Sequence, residues 1–443
     1  MQVSVFALGR TGLPLSLVCA DSGLKVIGID INKELVEQIK RKEPPFFEPG
    51  MEELLNKHLN KNFFPTTKIT DEVKKSDYFV IAIGTKFNRY PEKASLTNLY
   101  KVVDRIIDIG VKGKTLIYRV TLPIGTTDII KKRIEKDGLI EGKDFHLAFV
   151  PERLMEGRAI HEEKTLPKIV GCYNDRGFKS VEKFFKKVGG EIVRVSSPKV
   201  AELTKLVDNS WRNMRFSFAN EIAFLSDVNG VNAMEVLRAA NKGYKRNGIP
   251  SPGPVSGYCL GKDPYLLEMA FDKIITRGFN SVWFYGRRAN DWLCSKVVKE
   301  VKGPNVLVLG LTFKEDIDDF RNGHSSEIID QLIAEDHNVL VNDPYLDKHT
   351  YTRLSKHIEK NVKKVDLNDG LKKADTIIFA TAHKEYKKLE IKHIIKNVKN
   401  NVKIIDLWNI FEGKLENEKN IEYVGLGRGD IKWERLSLAQ QVF

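Results

Sequence analysis

The stretch "QVSVFALGRTGLPLSLVCADSGLKVIGID", residues 2–30, decides the fold. It opens with a short apolar run, turns through Ala7-Leu8-Gly9-Arg10-Thr11-Gly12, continues with helical spacing, and closes on a second apolar run ending in Asp30. Strand, glycine turn, helix and strand with an acidic end are the parts of a dinucleotide-binding βαβ unit. Gly9 would let backbone approach a pyrophosphate, and Gly12 would let the helix pack on the strand. The free N–H groups of the helix start, with Arg10 and Thr11 in the turn, would meet the anion. Asp30 follows Gly12 by 18 residues, placed for a ribose 2′-hydroxyl, which favours NAD over NADP. Lys33 lies within reach of the phosphates. Ala7 stands where the fingerprint has its first glycine.

Working outward, "DYFVIAIGT" (77–85), "KTLIYRVT" (114–121), "HLAFVPE" (146–152), "KIVGCY" (168–173) and "EIVRVS" (191–196) continue as strands separated by helical patterns. This predicts a parallel sheet with right-handed crossovers over residues 1–197. From Ser197-Pro198 the pattern turns helical and stays so to about 302. At "PNVLVLGLTFKED" (304–316) the strands return, and "NVLVNDP", "DTIIFAT" and "VKIIDLW" follow. The expected class is α/β: a Rossmann-like domain (1–197), a central helical segment (198–302) and a second Rossmann-like domain (303–443).

The 443 residues predict two to four domains, and a hydrophobic share of 42% is enough for their cores. No apolar run approaches the ~20 residues that span a bilayer, and the N-terminus reads as strand, turn and helix instead of a signal peptide. Four cysteines without a CxxC argue against a disulfide framework or structural zinc, and nine histidines show no ligand spacing. No metal is expected, and a reducing cytoplasm fits. The net charge of +13 is spread among glutamates with no basic stripe, so neither nucleic acid nor membrane is an expected partner.

One cysteine stands apart. In "SGYCLGKDPY" (256–265), Cys259 has glycines on both sides and Lys262 and Asp263 behind it. A ligand can approach such a loop, and a positive charge favours a thiolate; the alternative is a loop cysteine of no consequence. Cys19, Cys172 and Cys294 sit in apolar surroundings and read as packing residues. Lys205 and Asn209, four apart, share one helix face.

These residues resemble the UDP-glucose/GDP-mannose dehydrogenase family, the NAD-dependent nucleotide-sugar 6-dehydrogenases. The resemblance runs in order along the chain: residues 8–39, "FFEPGMEELL" (46–55), "IAIGT" (81–85), "VTLPIGTT" (120–127), "VPERLMEG" (150–157), "AELTKLVDNSWRNMRFSFANEIA" (201–223), "PGPVSGYCLGKDP" (252–264) and "VLGLTFKEDIDDFRNG" (308–323). It implies two Rossmann-like domains, a dimer made through the helical segment, and oxidation of a sugar C6 alcohol to a carboxylate with two NAD. Cys259 would be the nucleophile, with Lys205, Asn209, Asp263, Glu152 and Thr121 as the other catalytic positions. Gly84, Thr85, Thr121 and Lys314 would join the cofactor site. Glu152, Arg153, Leu154, Glu156, Lys205, Asn209, Arg212, Arg246, Gly257, Tyr258, Phe313, Lys314 and Arg321 would meet the UDP-sugar, Arg321 coming from the neighbouring subunit. Ala7, Arg10, Lys86, Ser256 and Gly261 depart from the family's usual residues, but none removes a proposed catalytic group. Pro151-Glu152-Arg153 and the 241–267 stretch look closer to the N-acetylmannosamine branch. UDP-N-acetyl-D-mannosamine is therefore the favoured substrate, with UDP-glucose and UDP-N-acetylglucosamine as alternatives. A catalytically silent nucleotide sensor is the alternative from another class.

Overall fold

The computed structural model describes residues 1–89, 92–271, 281–346 and 354–429. The chain divides into two compact units. One comprises residues 1–209 with a short stretch from Tyr265. The other comprises residues 210–264 with most of the chain that follows.

The strands, in chain order, are β1 (Gln2–Phe6), β2 (Lys25–Ile29), β3 (Phe63–Thr66), β4 (Tyr78–Ile81), β5 (Lys86–Arg89), β6 (Glu92–Ser95), β7 (Thr115–Tyr118), β8 (His146–Phe149), β9 (Lys168–Cys172), β10 (Ile192–Val195), β11 (Asn305–Leu309), β12 (Asn338–Asn342), β13 (Lys363–Lys364), β14 (Thr376–Phe379), β15 (Val402–Asp406) and β16 (Ile421–Gly425). The first unit holds an eight-stranded sheet ordered β10-β9-β8-β7-β4-β1-β2-β3. The second holds a six-stranded sheet ordered β13-β12-β11-β14-β15-β16. β5 and β6 form a separate antiparallel hairpin. The central strands are buried on both faces, as Val3, Val5, Val80, Ile117, Val306, Val308 and Ile378 are. Continuous Val/Ile/Leu runs are therefore what these positions require.

The fold class is the expected one, with one difference. β9 runs antiparallel to β8, while β10 is parallel to β9, so the first sheet is mixed and not wholly parallel. The connection from 150 to 167 returns the chain against β8 without a crossover onto a parallel neighbour. Two doubly wound sheets with helices between their strands place the ligand-binding ends at the carboxyl ends of β1 and β11.

The turns that follow the first strand of each sheet are built alike. After β1, Ala7 takes φ +79°; after β11, Gly310 takes φ +87°. A left-handed backbone is free for glycine and costs an alanine about 1–2 kcal/mol. At Gly12, any Cβ would lie 1.8 Å from the Ala7 carbonyl oxygen, so the helix start tolerates no side chain there. Each turn is tied by the carboxylate that ends the next strand. Asp30 accepts from the Leu8 N–H (2.8 Å) and the Asn32 N–H (2.9 Å), and Asp343 from Leu311 (2.6 Å) and Tyr345 (2.7 Å).

Candidate active site

In the first unit, three segments meet at the sheet's carboxyl end. The helix after the fingerprint, Gly12–Asp21, has no side-chain N-cap; Leu13 donates to the Gly9 carbonyl (3.0 Å) and Pro14 has no N–H, so the Gly12 N–H is the donor its first turn offers an anion. Asp30 is half-buried and spends one bond from each oxygen on backbone, leaving lone pairs for a hydroxyl. Lys33 opens the helix Lys33–Lys40 and is exposed. Arg10 turns inward, with its guanidinium 3.2 Å from Glu156 and 4.8 Å from the centre of the Phe46 ring. Its partner Glu156 thus has a positioning contact. Thr85 is buried and its hydroxyl donates to the Thr121 carbonyl, linking the ends of β4 and β7; Gly84 beside it is exposed.

The 151–158 loop is shaped by carboxylates that accept its own N–H groups. Glu152 takes the Leu154 N–H and lies 3.5 Å from the Thr11 hydroxyl. Glu162 takes the Met155 N–H (2.7 Å), and Glu48, from the "EPG" segment, takes the Gly157 N–H (3.0 Å). Burial raises the Glu48 pKa, against the pull of the N–H groups it accepts. Arg153 ties the loop to the long helix Pro198–Asn229 through Asp208 (3.3 Å) and also donates to the Pro167 carbonyl (2.9 Å).

That helix carries Lys205 and Asn209, each 4% exposed. Lys205 makes no hydrogen bond or ion pair among the described residues, although its side chain is largely buried. Sequence reasoning missed the residue that locks this face. Glu202, fully buried, accepts from the Gly125 N–H (2.6 Å), the Thr127 N–H (2.7 Å) and the Thr127 hydroxyl (2.6 Å). It caps the helix Thr126–Glu135, which follows Thr121. Burial raises its pKa despite those bonds. Its place three residues before Lys205, on a neighbouring part of the same helix face, does not by itself reveal that task.

In the second unit, the segment expected as a loop is a helical turn, Gly257–Leu260, running on into the helix Asp263–Phe271. Gly261 donates back to the Gly257 carbonyl (3.0 Å) and Lys262 to that of Cys259 (3.2 Å), so the residues around the thiol are wound, not extended. Gly257 has φ +94°, and a Cβ there would come 2.5 Å from the Phe313 ring. Its N–H donates to the Asn322 carbonyl (2.8 Å). Tyr258 carries cations on its ring, Arg321 at 4.8 Å and Lys262 at 5.2 Å. The resemblance implied that Arg321 reaches the site from a neighbouring subunit; here it packs on the Tyr258 of its own chain and is forked onto Asp319. Lys314, half-buried, accepts the Thr312 hydroxyl at its carbonyl (2.8 Å).

Behind the thiol, Lys262 and Asp263 form a buried ion pair. Burial works against the Lys262 ammonium, but the negative charges of Asp263 and the Cys259 sulfur outweigh it and raise its pKa. Burial raises the Tyr258 pKa, against Lys262 and Arg321. Of the four cysteines, Cys259 alone is partly exposed. Arg212 and Arg246 lie on the surface, Arg246 stacked on Tyr244 at 4.5 Å, so the structure does not bring them together with the Cys259 turn among the described residues.

Comparison with known proteins accounts for this arrangement. Models of the UDP-glucose/GDP-mannose dehydrogenase family match in three parts: the NAD binding domain over residues 1–189, the central domain over 199–283 and the UDP binding domain over 307–413. The UDP-N-acetyl-D-mannosamine dehydrogenase of Campylobacter jejuni is 30% identical over 406 residues, covering 87% of this chain and 96% of that one. The chain belongs to the UDP-glucose/GDP-mannose dehydrogenase family. Within this family it is also similar to the UDP-N-acetyl-D-mannosamine dehydrogenase of Pyrococcus horikoshii, at 29% identity over 97% of this chain and 100% of that one. A solved structure of the Pyrococcus horikoshii UDP-D-ManNAc dehydrogenase superposes with a TM-score of 0.84, at 29% identity over the same shares of the two chains. The family's cofactor is NAD. The uncapped helix start, the close turn at Gly12 and the Asp30 carboxylate with lone pairs to spare fit it. No described helix is long and apolar enough to cross a membrane.

Proposed function

We propose that the protein oxidises the C6 alcohol of UDP-N-acetyl-D-mannosamine to the uronic acid, through a thiohemiacetal and a thioester on Cys259, using two NAD per sugar. The observation that carries this reading is the Cys259 turn. It carries one partly exposed thiol, with a buried Lys262–Asp263 pair behind it, and its first residue, Gly257, packs on Phe313 of the segment matched as UDP-binding. The sugar assignment is supported by the names of the two relatives.

NAD, held by Gly9–Gly12 and Asp30 with Thr85 and Thr121 at the neighbouring strand ends, supplies a hydride acceptor. Everything else falls to side chains. The alcohol must lose a proton as it becomes an aldehyde, and Lys205 and Asn209 stabilise the developing alkoxide by charge and by an N–H donor. An aldehyde has no hydride to give until a nucleophile adds to it. The Cys259 thiolate, favoured by the Lys262 ammonium, adds to the carbonyl carbon and gives the thiohemiacetal; its oxidised form is a thioester. Water, oriented by Thr121 and Asp263 and deprotonated by Glu152, cleaves the C–S bond, releases the acid and returns the thiol. Phe313, Lys314, Tyr258 and Arg321 hold the nucleotide part, Arg153, Leu154 and Glu156 the sugar side.

The working form is a homodimer or larger homo-oligomer. Its support is the exposed apolar stripe on helix Pro198–Asn229: Val200, Leu203, Val207, Trp211, Phe218 and Leu225 recur at steps of three, four and seven.

The test is NADH formed per sugar consumed, over a panel of UDP-hexoses and UDP-N-acetylhexosamines, for the parent and Cys259→Ala. Two NADH per UDP-N-acetyl-D-mannosamine, with no acid released by the variant, are expected. One NADH per sugar, or an acid-producing variant, refutes the thioester route.

A further inference from the structure

Within the second unit, two helices meet across a polar seam. Asn213, Ser217 and Asn220 from Pro198–Asn229 face Arg287 and Asn290 from Val282–Lys299, and each is 3% exposed or less. Asn290 donates to the Ser217 hydroxyl (2.7 Å), Ser217 to the Gly286 carbonyl (2.6 Å), Asn220 to Asn290 (2.6 Å) and Arg287 to Asn213 (3.1 Å). Arg287 is also forked onto Asp291 (2.7 and 3.1 Å). Apolar side chains of similar volume commonly hold a helix seam as well as buried charge does, or better. A seam this polar therefore calls for a reason beyond stability.

The network opens at two points, and both lead to the segment ahead of Cys259. Asn220 donates to the Gly253 carbonyl (3.0 Å) and accepts the Gly253 N–H (2.7 Å), pairing with both backbone polar groups of that residue. Trp408 closes the same glycine from another direction, since a Cβ there would lie 2.5 Å from its ring. Arg287 donates to the Val255 carbonyl (2.8 Å). The next two residues are held by the last domain. The Ser256 hydroxyl accepts the His324 N–H (2.7 Å), and the Gly257 N–H meets the Asn322 carbonyl (2.8 Å). The lead-in to the thiol is thus pinned residue by residue.

We infer that Asn220 and Arg287 are positioning residues that set where the Cys259 sulfur stands. The inference rests on the reading of Cys259 as the nucleophile. Sulfur and carbonyl carbon must approach within bonding range, and a misplacement of ~1 Å costs on the order of 100-fold in rate. Asn220→Asp keeps the shape but replaces both donors with an oxygen facing the Gly253 carbonyl and Asn290. Arg287→Lys keeps the charge but loses the fork that reaches Asn213, Val255 and Asp291 together.

Each variant is assayed for kcat and KM with NAD and UDP-N-acetyl-D-mannosamine. Without substrate, the native protein is alkylated with iodoacetamide and mapped cysteine by cysteine. The expected result is a kcat lower by about 100-fold with KM within about threefold of the parent. Cys259 should react faster, while Cys19, Cys172 and Cys294, all buried, stay protected as in the parent. Alkylation that rises at all four cysteines would show that the network only holds the fold, and overturns the inference. So does a parent-like kcat in both variants while Cys259→Ala is inactive. A Cys259→Ala protein that still yields two NADH per sugar would instead remove the nucleophile reading, and this inference with it.

Discussion

At the scale of single residues, the most informative group is one with nothing to bind. Lys205 has a largely buried side chain and no partner among the described residues. An ammonium on a buried stem without a counter-charge has lost part of its hydration, so the site holds it at the expense of stability. Lys205→Met keeps the stem and removes the charge. It should raise the free energy of unfolding by about 1–3 kcal/mol and lower kcat by about 10²–10³-fold, as loss of one preorganised donor does. Urea denaturation and steady-state kinetics on the same preparation check both signs. A variant less stable than the parent would mean that the ammonium is satisfied in the folded protein. Lys205 and Asn209 are singled out by the family resemblance; their spacing of four only places them on one helix face. Glu202, Asn220 and Arg287 are not legible in the sequence. In their own segments each is an ordinary polar letter on an amphipathic helix, and only the backbone opposite, at Gly125, Gly253 and Val255, gives it a task.

At the scale of elements, the sequence patterns mark the central strands and pass over the edges. β3 contains Pro65, which lowers its strand signal, yet it closes one end of its sheet, where a missing N–H is tolerated. β16 closes the other sheet with the charged Glu422 facing out, and Asn420-Ile421 shows little of the long apolar run that marks its neighbours. The Cys259 segment reads as a loop because of its glycines; contacts at Phe313 and Asn322 wind it into a turn, and those contacts come from residues more than fifty positions away. His324 is the joint of that docking. Its Nδ1 lies 3.2 Å from the Ser256 hydroxyl and its Nε2 2.6 Å from the Ala380 carbonyl, so the neutral ring, with its proton on Nε2, is what fits. Burial pushes its pKa down to about 4. The ordinary histidine value lies higher, at about 6.5, so the unfolded chain takes up a proton first as pH falls. Stability is therefore full above pH ~6.5 and declines toward pH 4, by about 3 kcal/mol from this group alone. Urea midpoints between pH 7 and pH 4 measure the slope. His324→Gln should lose stability at pH 7 and flatten that slope; an unchanged slope would assign the acid sensitivity to other groups.

At the scale of the whole molecule, the question is what covers the long helix. Trp211 and Phe218 are 59% and 51% exposed, seven residues apart, on the face that also carries Val200, Val207 and Leu225. Single exposed apolar residues are common, but a contiguous stripe of this length marks an association surface. A helix that pairs with its own copy about a two-fold axis presents each stripe residue twice. Trp211→Glu combined with Phe218→Glu would then place four carboxylates in one apolar seam, against the cost of burying unpaired charge. In the single chain both positions already face water, so the fold of each protomer should survive. Sedimentation velocity at micromolar concentration should show a dimer or larger species for the parent and a monomer for the double variant, with parent-like circular dichroism. A parent that sediments as a monomer would leave the stripe without an occupant and refute the self-association. The monomeric variant also decides which Arg321 serves the site. The guanidinium already lies 4.8 Å from its own chain's Tyr258 ring. If a monomer retains UDP-sugar binding, each chain completes its own nucleotide site. If binding is lost with dimerisation, Arg321 has to be contributed across the seam, as the family resemblance implies.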